Sequence, residues 1–294
     1  MKKLLFLFLI IVGRTSMAQE NLNILKQTLI NEFKKADGRF ALVYLDLNEN
    51  GQHIYINEKE NFHAASTMKT AIMIEVFRQA EQGKFNLDDS LLIKNEFKSI
   101  VDSSIYSLNL SDDSGEDLYR FIGEKKTIKE LVNEMIIVSS NLATNLLIDL
   151  VNPKNVMATM KILGANDIKI MRGVEDLKAF DLGMNNTTTA YDLMILLKKI
   201  FFREAASQKS CDEMINILLN QKLNSIIPSL LPLDVKVAHK TGSISGVVHD
   251  SGIVFLPNGK KYILVFLSKD LKKNEQGIEL GARISKLIYD YVMQ

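Results

Sequence analysis

Cysteine is almost absent from this 294-residue chain: Cys211 stands alone, so no disulfide can close within it. Tryptophan is missing and there are only four prolines. The fold must therefore be held by its apolar core, and 47% hydrophobic against 24% charged residues suits a globular chain that buries one. Histidine is scarce as well. His53, His63, His239 and His249 show no metal-ligand spacing and have no cysteine partners, so neither a metal nor another cofactor is expected. An excess of one charge is lacking too. A formal net charge of +1 gives no footprint for nucleic acid or an anionic membrane. No apolar run approaches the ~20 residues that span a bilayer.

What is present begins with an address. Lys2 and Lys3 precede an apolar run from Leu4 to Val12, and Ser16-Met17-Ala18 sets small residues at the two cleavage positions. This pattern predicts a secretory signal over residues 1–18, cut after Ala18, and an exported, periplasmic protein of residues 19–294 with no membrane anchor. No cysteine follows the apolar run, which argues against a bacterial lipid anchor. Losing Lys2, Lys3 and Arg14 takes the formal charge from +1 to −2.

Periodicity then lays out the elements. Residues 20–36 read as an amphipathic helix, and 40–47 and 53–57 as strands around a hairpin turn at Asn50-Gly51. A buried helix follows Ser66 and ends near Gly83. Residues 84–126 are irregular. Thr127-x-x-Glu130 is a capping box opening a helix through Val138. Residues 142–150 form another helix, and Asn152-Pro153 to Gly164 a third. After a loop over 165–186, the Thr187–Thr189 run caps a helix through Phe202, and a further helix covers about 208–220. Strands are expected at 235–243, 247–256 and 262–269, and a last helix from about 275 to 293. Strands at both ends with helices between them predict one antiparallel sheet flanked by the terminal helices. That makes an α/β lobe of about 19–62 and 208–294, with an inserted all-α lobe of about 63–207. A pocket is expected at the seam.

Chemistry concentrates in four places. Ser66-x-x-Lys69 opens the buried helix, where a lysine one turn on can share a face with a serine hydroxyl. Free N–H groups and the helix dipole there favour a developing oxyanion, and a desolvated lysine can act as a base. Taken alone, the pair also fits a serine N-cap followed by a surface lysine. Ser139-Ser140-Asn141 lies in the break between two helices, where a pair of caps is the plain alternative. Lys240-Thr241-Gly242-Ser243 lies on an edge-type strand, and Gly242, lacking Cβ, permits close approach of a ligand. Arg172-Gly173-Val174-Glu175 lies in the loop before the Thr187 helix. Acyl transfer needs such a nucleophile, base, proton donor and oxyanion site.

The set S-x-x-K, S-x-N and K-T-G in this order resembles the class A serine β-lactamases, within the wider family of penicillin-interacting serine hydrolases. The resemblance covers nearly the whole chain after residue 18. It implies an α/β (α+β) β-lactamase/transpeptidase-like fold and a small-molecule β-lactam as partner, and a monomer is expected. It also implies roles: Ser66 as nucleophile, Lys69 as its base, and Ser139 as proton donor to the lactam nitrogen. Asn141 would bind the substrate's amide side chain. Lys240, Thr241 and Ser243 would hold the substrate carboxylate, with Lys240 also feeding the proton relay. The Ser66 and Ser243 N–H groups would form the oxyanion hole. Glu175 would activate the water that frees the enzyme.

Three departures from the family pattern stand out. Ser140 replaces the usual Asp of the second motif. The 73 positions between Ser66 and Ser139 exceed the family's spacing, with the excess expected in 84–126, where Tyr106 is a candidate rim aromatic. The loop reads Glu175-Asp176-Leu177-Lys178-Ala179 against the family's Glu-x-x-Leu-Asn, so Asp176 rivals Glu175 as base. The missing Asn leaves Asn185 or Asn186 as its substitute, or deacylation slow. Competing readings are a D-alanyl peptidase or esterase on the same scaffold, and a penicillin-binding protein or sensor that stays acylated.

Overall fold

Strict alternation of large apolar side chains builds the sheet at the centre of the fold. In the strand Lys261–Lys269, Tyr262, Leu264 and Phe266 face one core while Ile263, Val265 and Leu267 face another. The computed structural model describes residues 19–48 and 51–294. We name the sheet strands β1 (Arg39–Asp46), β2 (His53–Ile56), β3 (Lys236–Ile244), β4 (Val247–Phe255) and β5 (Lys261–Lys269). Their order is β2-β1-β5-β4-β3, every pairing antiparallel, with Val43 opposite Val265 and Thr241 opposite Asp250. β3, which carries Lys240-Thr241-Gly242, is an edge strand, as expected. Asn50 of the expected hairpin turn and the whole signal segment lie outside the described residues.

Helices cover both faces. On one side lie α1 (residues 19–33) and α9 (Asn274–Met293), through Leu22, Leu25, Leu29, Leu280, Ile284 and Ile288. Phe33 stacks on Phe40 at 5.1 Å between ring centres, and Phe40 on Phe266 at 6.0 Å. On the other side lies the helical lobe: α2 (Lys69–Glu81), α3 (Ile128–Ile137), α4 (Asn141–Val151), α5 (Pro153–Leu163), the five-residue α6 (Leu177–Asp181), α7 (Ala190–Phe201) and, although 208–219 was expected in the α/β lobe, α8 (Gln208–Leu219), whose Cys211, Met214 and Leu218 pack into the same core. α2 is buried from Lys69 through Phe77 without interruption, the mark of a helix enclosed by others. Caps set several boundaries. Thr127 and Glu130 form the expected capping box, Thr189 caps α7, and Gly164 ends α5 at φ +93°. Among the described residues no helix is long and apolar enough to cross a membrane. Cys211 is buried.

Two regions differ from expectation. The loop over 165–186 contains α6, capped by Asp176, whose side chain accepts the Ala179 N–H. The irregular stretch 84–126 contains two short strand pairs, Ser90–Leu92 with Lys125–Thr127 and Phe97–Lys98 with Ile105–Tyr106. Both are too short to leave a period in the sequence.

Candidate active site

Ser66 sits in a 3-10 turn, Ala65–Met68, that leads into α2. The chain enters the turn at Ala65 with φ +43°, a conformation an alanine adopts only when its surroundings impose it. Two histidines do so. His249 Nδ1 accepts the Ser268 N–H at 3.1 Å, so its Nε2 carries the proton and donates to the His63 carbonyl at 2.8 Å. His63 Nδ1 in turn accepts the Ala65 N–H at 3.0 Å. Burial pulls the His249 pKa down to about 4 and lowers that of His63, so both stay neutral. Ser66 is not the helix N-cap. α2 begins at Lys69, and its cap position, Met68, makes no side-chain cap bond.

Lys69 is wholly buried and points across the seam. Its ammonium donates to the Ser139 carbonyl at 2.7 Å, Ser139 Oγ at 3.1 Å and Asn141 Oδ1 at 3.0 Å. From β3, Lys240 Nζ reaches the same Ser139 Oγ at 3.0 Å and its neighbour's carbonyl at 2.9 Å. Burial brings the Lys69 pKa down to about 7, against the pull of Asp113 and Glu175. Lys240 falls well below the ordinary lysine value, first through burial and then through repulsion by Lys69. A lysine that gives up its proton can accept one from Ser139, whose hydroxyl has one proton and two lone pairs. The Lys69 backbone N–H reaches the Ser66 carbonyl, but among the described residues no hydrogen bond joins the Lys69 ammonium to the Ser66 hydroxyl.

β3 passes the Ser66 turn closely. A Cβ on Gly242 would stand 3.0 Å from the Ser66 nitrogen and 3.1 Å from that of Thr67. Ser243 is held by a residue the sequence reading missed. Asn274, at the start of α9, donates to Ser243 Oγ at 3.1 Å and to the Ile244 carbonyl at 2.8 Å. That leaves the Ser243 proton free for an anion. No spacing links residues 243 and 274, so only the fold reveals the contact.

Glu175, at φ +61°, faces the same cavity. Its carboxylate accepts the Asn109 N–H at 2.9 Å and Asn141 Nδ2 at 3.3 Å. Burial raises its pKa above the usual carboxylate value. Asp176 turns the other way. It is 1% exposed and accepts from Ser99 Oγ at 2.8 Å and the Ile100 N–H at 2.9 Å. Asn145 pins the loop from behind, its carboxamide bonding both the N–H and the carbonyl of Val174. Neither candidate for the missing Asn is bonded to Glu175. Asn186 holds the backbone of Met171 and Arg172, and Asn185 the Arg172 guanidinium. Tyr106 is not a rim aromatic: it bonds Asn145 and the Val174 carbonyl and stacks near Phe97, behind the loop.

The cavity so formed holds about 380 Å³. Ser66, Lys69, Ser139, Asn141, Glu175, Thr241, Gly242 and Ser243 all line it, and Lys240 lies one bond behind Ser139. Leu177, Phe180 and Ile244 give the mouth an apolar side. Among the described residues no His/Cys/Asp/Glu group is placed to hold a metal ion.

Fold and site together define a serine hydrolase of the penicillin-interacting class, with a serine, two buried lysines and a carboxylate around one cavity. The chain belongs to the beta-lactamase enzyme family, whose model it matches over residues 24–292, and it is a class A serine β-lactamase. It is 24% identical over 265 residues to beta-lactamase PSE-4 of Pseudomonas aeruginosa, covering 86% of this chain and 84% of that protein. Among solved structures, the TLA-1 extended-spectrum beta-lactamase superposes with a TM-score of 0.81 at 25% identity, over 93% of this chain and all of the other. PBP-A superposes with a TM-score of 0.78 at 25% identity, over 92% of this chain and 96% of its own.

Proposed function

We propose that this chain is exported and confers resistance by hydrolysing β-lactams through an acyl-enzyme on Ser66, with Glu175 as general base. Ser66 Oγ attacks the lactam carbonyl carbon as neutral Lys69, one helical turn on, takes the hydroxyl proton. The oxyanion is met by the N–H groups of Ser66 and Ser243. The C–N bond breaks as Ser139 hands its proton to the nitrogen and is reprotonated through the lysines beside it. Thr241, Ser243 and the charge of Lys240 hold the substrate carboxylate, and Asn141 its amide. Glu175 then takes a proton from water, the hydroxide adds to the ester carbonyl, and the C–Oγ bond breaks with the proton returned to Ser66.

One observation carries the hydrolytic reading: a half-buried carboxylate with a raised pKa lines the same cavity as Ser66. A second reading has support of its own. Asn185 and Asn186 bond Arg172 and neither bonds Glu175, and PBP-A shares the fold. That reading is a penicillin-binding peptidase that stays acylated. A chromogenic cephalosporin separates the two. Many turnovers per enzyme are expected. One equivalent of product with a lasting adduct by intact mass would favour the second reading, and a protein showing neither turnover nor an adduct would overturn both.

A further inference from the structure

Ser139 stands at φ +62° with Asn141 two residues on, and a turn so placed needs something to hold it. Ser140 does only part of this, accepting the Ala143 N–H at 3.2 Å as the α4 cap. The remainder comes from the stretch whose extra length has no counterpart in the motifs. Asp113 is 3% exposed and has no cationic partner among the described residues. One carboxylate oxygen accepts the N–H groups of Asn141 at 2.9 Å and Gly115 at 2.8 Å. The other accepts the Leu142 N–H at 2.8 Å and, at 3.4 Å, the Ser140 hydroxyl. The Asp113 carboxyl group thus sits on the first two N–H groups of α4, where the helix dipole favours an acidic side chain. Gly115 lets the segment press this close, since a Cβ there would stand 2.4 Å from that of Ser140. Four residues upstream, the Asn109 N–H holds Glu175.

We propose that Asp113 is the positioning residue that sets Ser139 and Asn141 for acylation, doing from the 109–115 segment what the middle residue of the second motif cannot. The geometry is specific. Asn141, whose backbone Asp113 fixes, is the residue whose side chain meets both Lys69 and Glu175. The inference rests on the β-lactam reading above.

The test measures acylation and deacylation separately on wild type, Asp113→Ser, Asp113→Asn and the double variant Asp113→Ser with Ser140→Asp. Misplacement by about an ångström is worth about 10²-fold, so Asp113→Ser is expected to slow acylation about that much. Deacylation of adduct already formed is expected to change by less than about tenfold, because Glu175 keeps its shorter bond from the Asn109 N–H at 2.9 Å when the 3.3 Å bond from Asn141 loosens. The double variant returns a carboxylate from the other side of the 3.4 Å gap and is expected to recover acylation to within about tenfold of wild type. Wild-type acylation in Asp113→Ser overturns the proposal. So does an equal fall in both steps, or a double variant no faster than the single one. If Asp113→Ser does not fold, Asp113→Asn keeps the shape but loses the charge, and normal acylation there overturns it equally. A wild type that neither turns over nor forms an adduct overturns the functional reading, and this inference with it.

Discussion

Two buried lysines meet one serine hydroxyl at 3.0 and 3.1 Å, and that arrangement has a measurable cost. The folded pKa of Lys69 is about 7, against an ordinary 10.5. Between those values the unfolded chain binds a proton that the folded chain does not, so this lysine's penalty shrinks as pH rises through the window and is full below it. The melting temperature of Lys69→Met minus that of wild type should therefore fall as pH is raised from about 7 to 10.5. A difference flat with pH would show that Lys69 titrates normally. Ser66→Ala should give no covalent adduct by intact mass. Because Ser66 caps no helix, its loss should move the melting temperature little. The motif residues were legible in the sequence because S-x-x-K, S-x-N and K-T-G in that order resemble the class A serine β-lactamases. Asp113, Asn109 and Asn274 were not, since each acts through contacts spanning 28 to 66 positions, without a pattern.

At the scale of elements, the loop before α7 separates two neighbouring carboxylates. Glu175→Gln should leave acylation observable and slow deacylation by ~10²–10⁴-fold, giving one product per enzyme and a long-lived adduct. The acid limb of wild-type deacylation should lie above an ordinary glutamate pKa of 4.5, because a base works only when ionised and burial raises this one. Asp176→Asn should keep turnover but melt earlier, since the carboxylate caps α6 and takes bonds from Ser99 and Ile100. A trapped adduct in Asp176→Asn with normal turnover in Glu175→Gln would reverse the assignment. On β3, Gly242→Ala should slow acylation while the fold persists, because its methyl would crowd the Ser66 nitrogen from 3.0 Å. Acylation at the wild-type rate would mean that the strand and the turn part easily. Elements of eight residues or more could be read from the chain to within a few positions. α6 could not, because five residues complete barely more than one turn.

Across the whole molecule, two separate apolar cores meet at the sheet, and the groups around the cavity are hung from both. Ser66 and Lys69 belong to the helical lobe, Lys240 and Thr241 to the sheet. Truncation in the core between the sheet and the terminal helices should therefore cost stability without altering chemistry. Phe266→Ala, which loses its packing with Phe40 and Phe33, should cost ~3–5 kcal/mol, seen as a lower denaturation midpoint, with kcat of the folded protein kept. A changed kcat would show that the sheet is bent by the loss.

The shared hydroxyl of Ser139 also constrains how this protein can change by descent. Replacing any one of Lys69, Ser139 and Lys240 removes a bond at one shared buried hydroxyl, so on the proposed mechanism each single step is expected to lose activity. A lineage leaving this chemistry has to cross that valley or change several positions at once. The rim has no such bond to its neighbours. Leu177 and Leu182 are about two-thirds exposed beside the cavity loop, and substitutions there strand nothing. Selection for new substrates has an open road at the mouth of the cavity and a closed one at its floor.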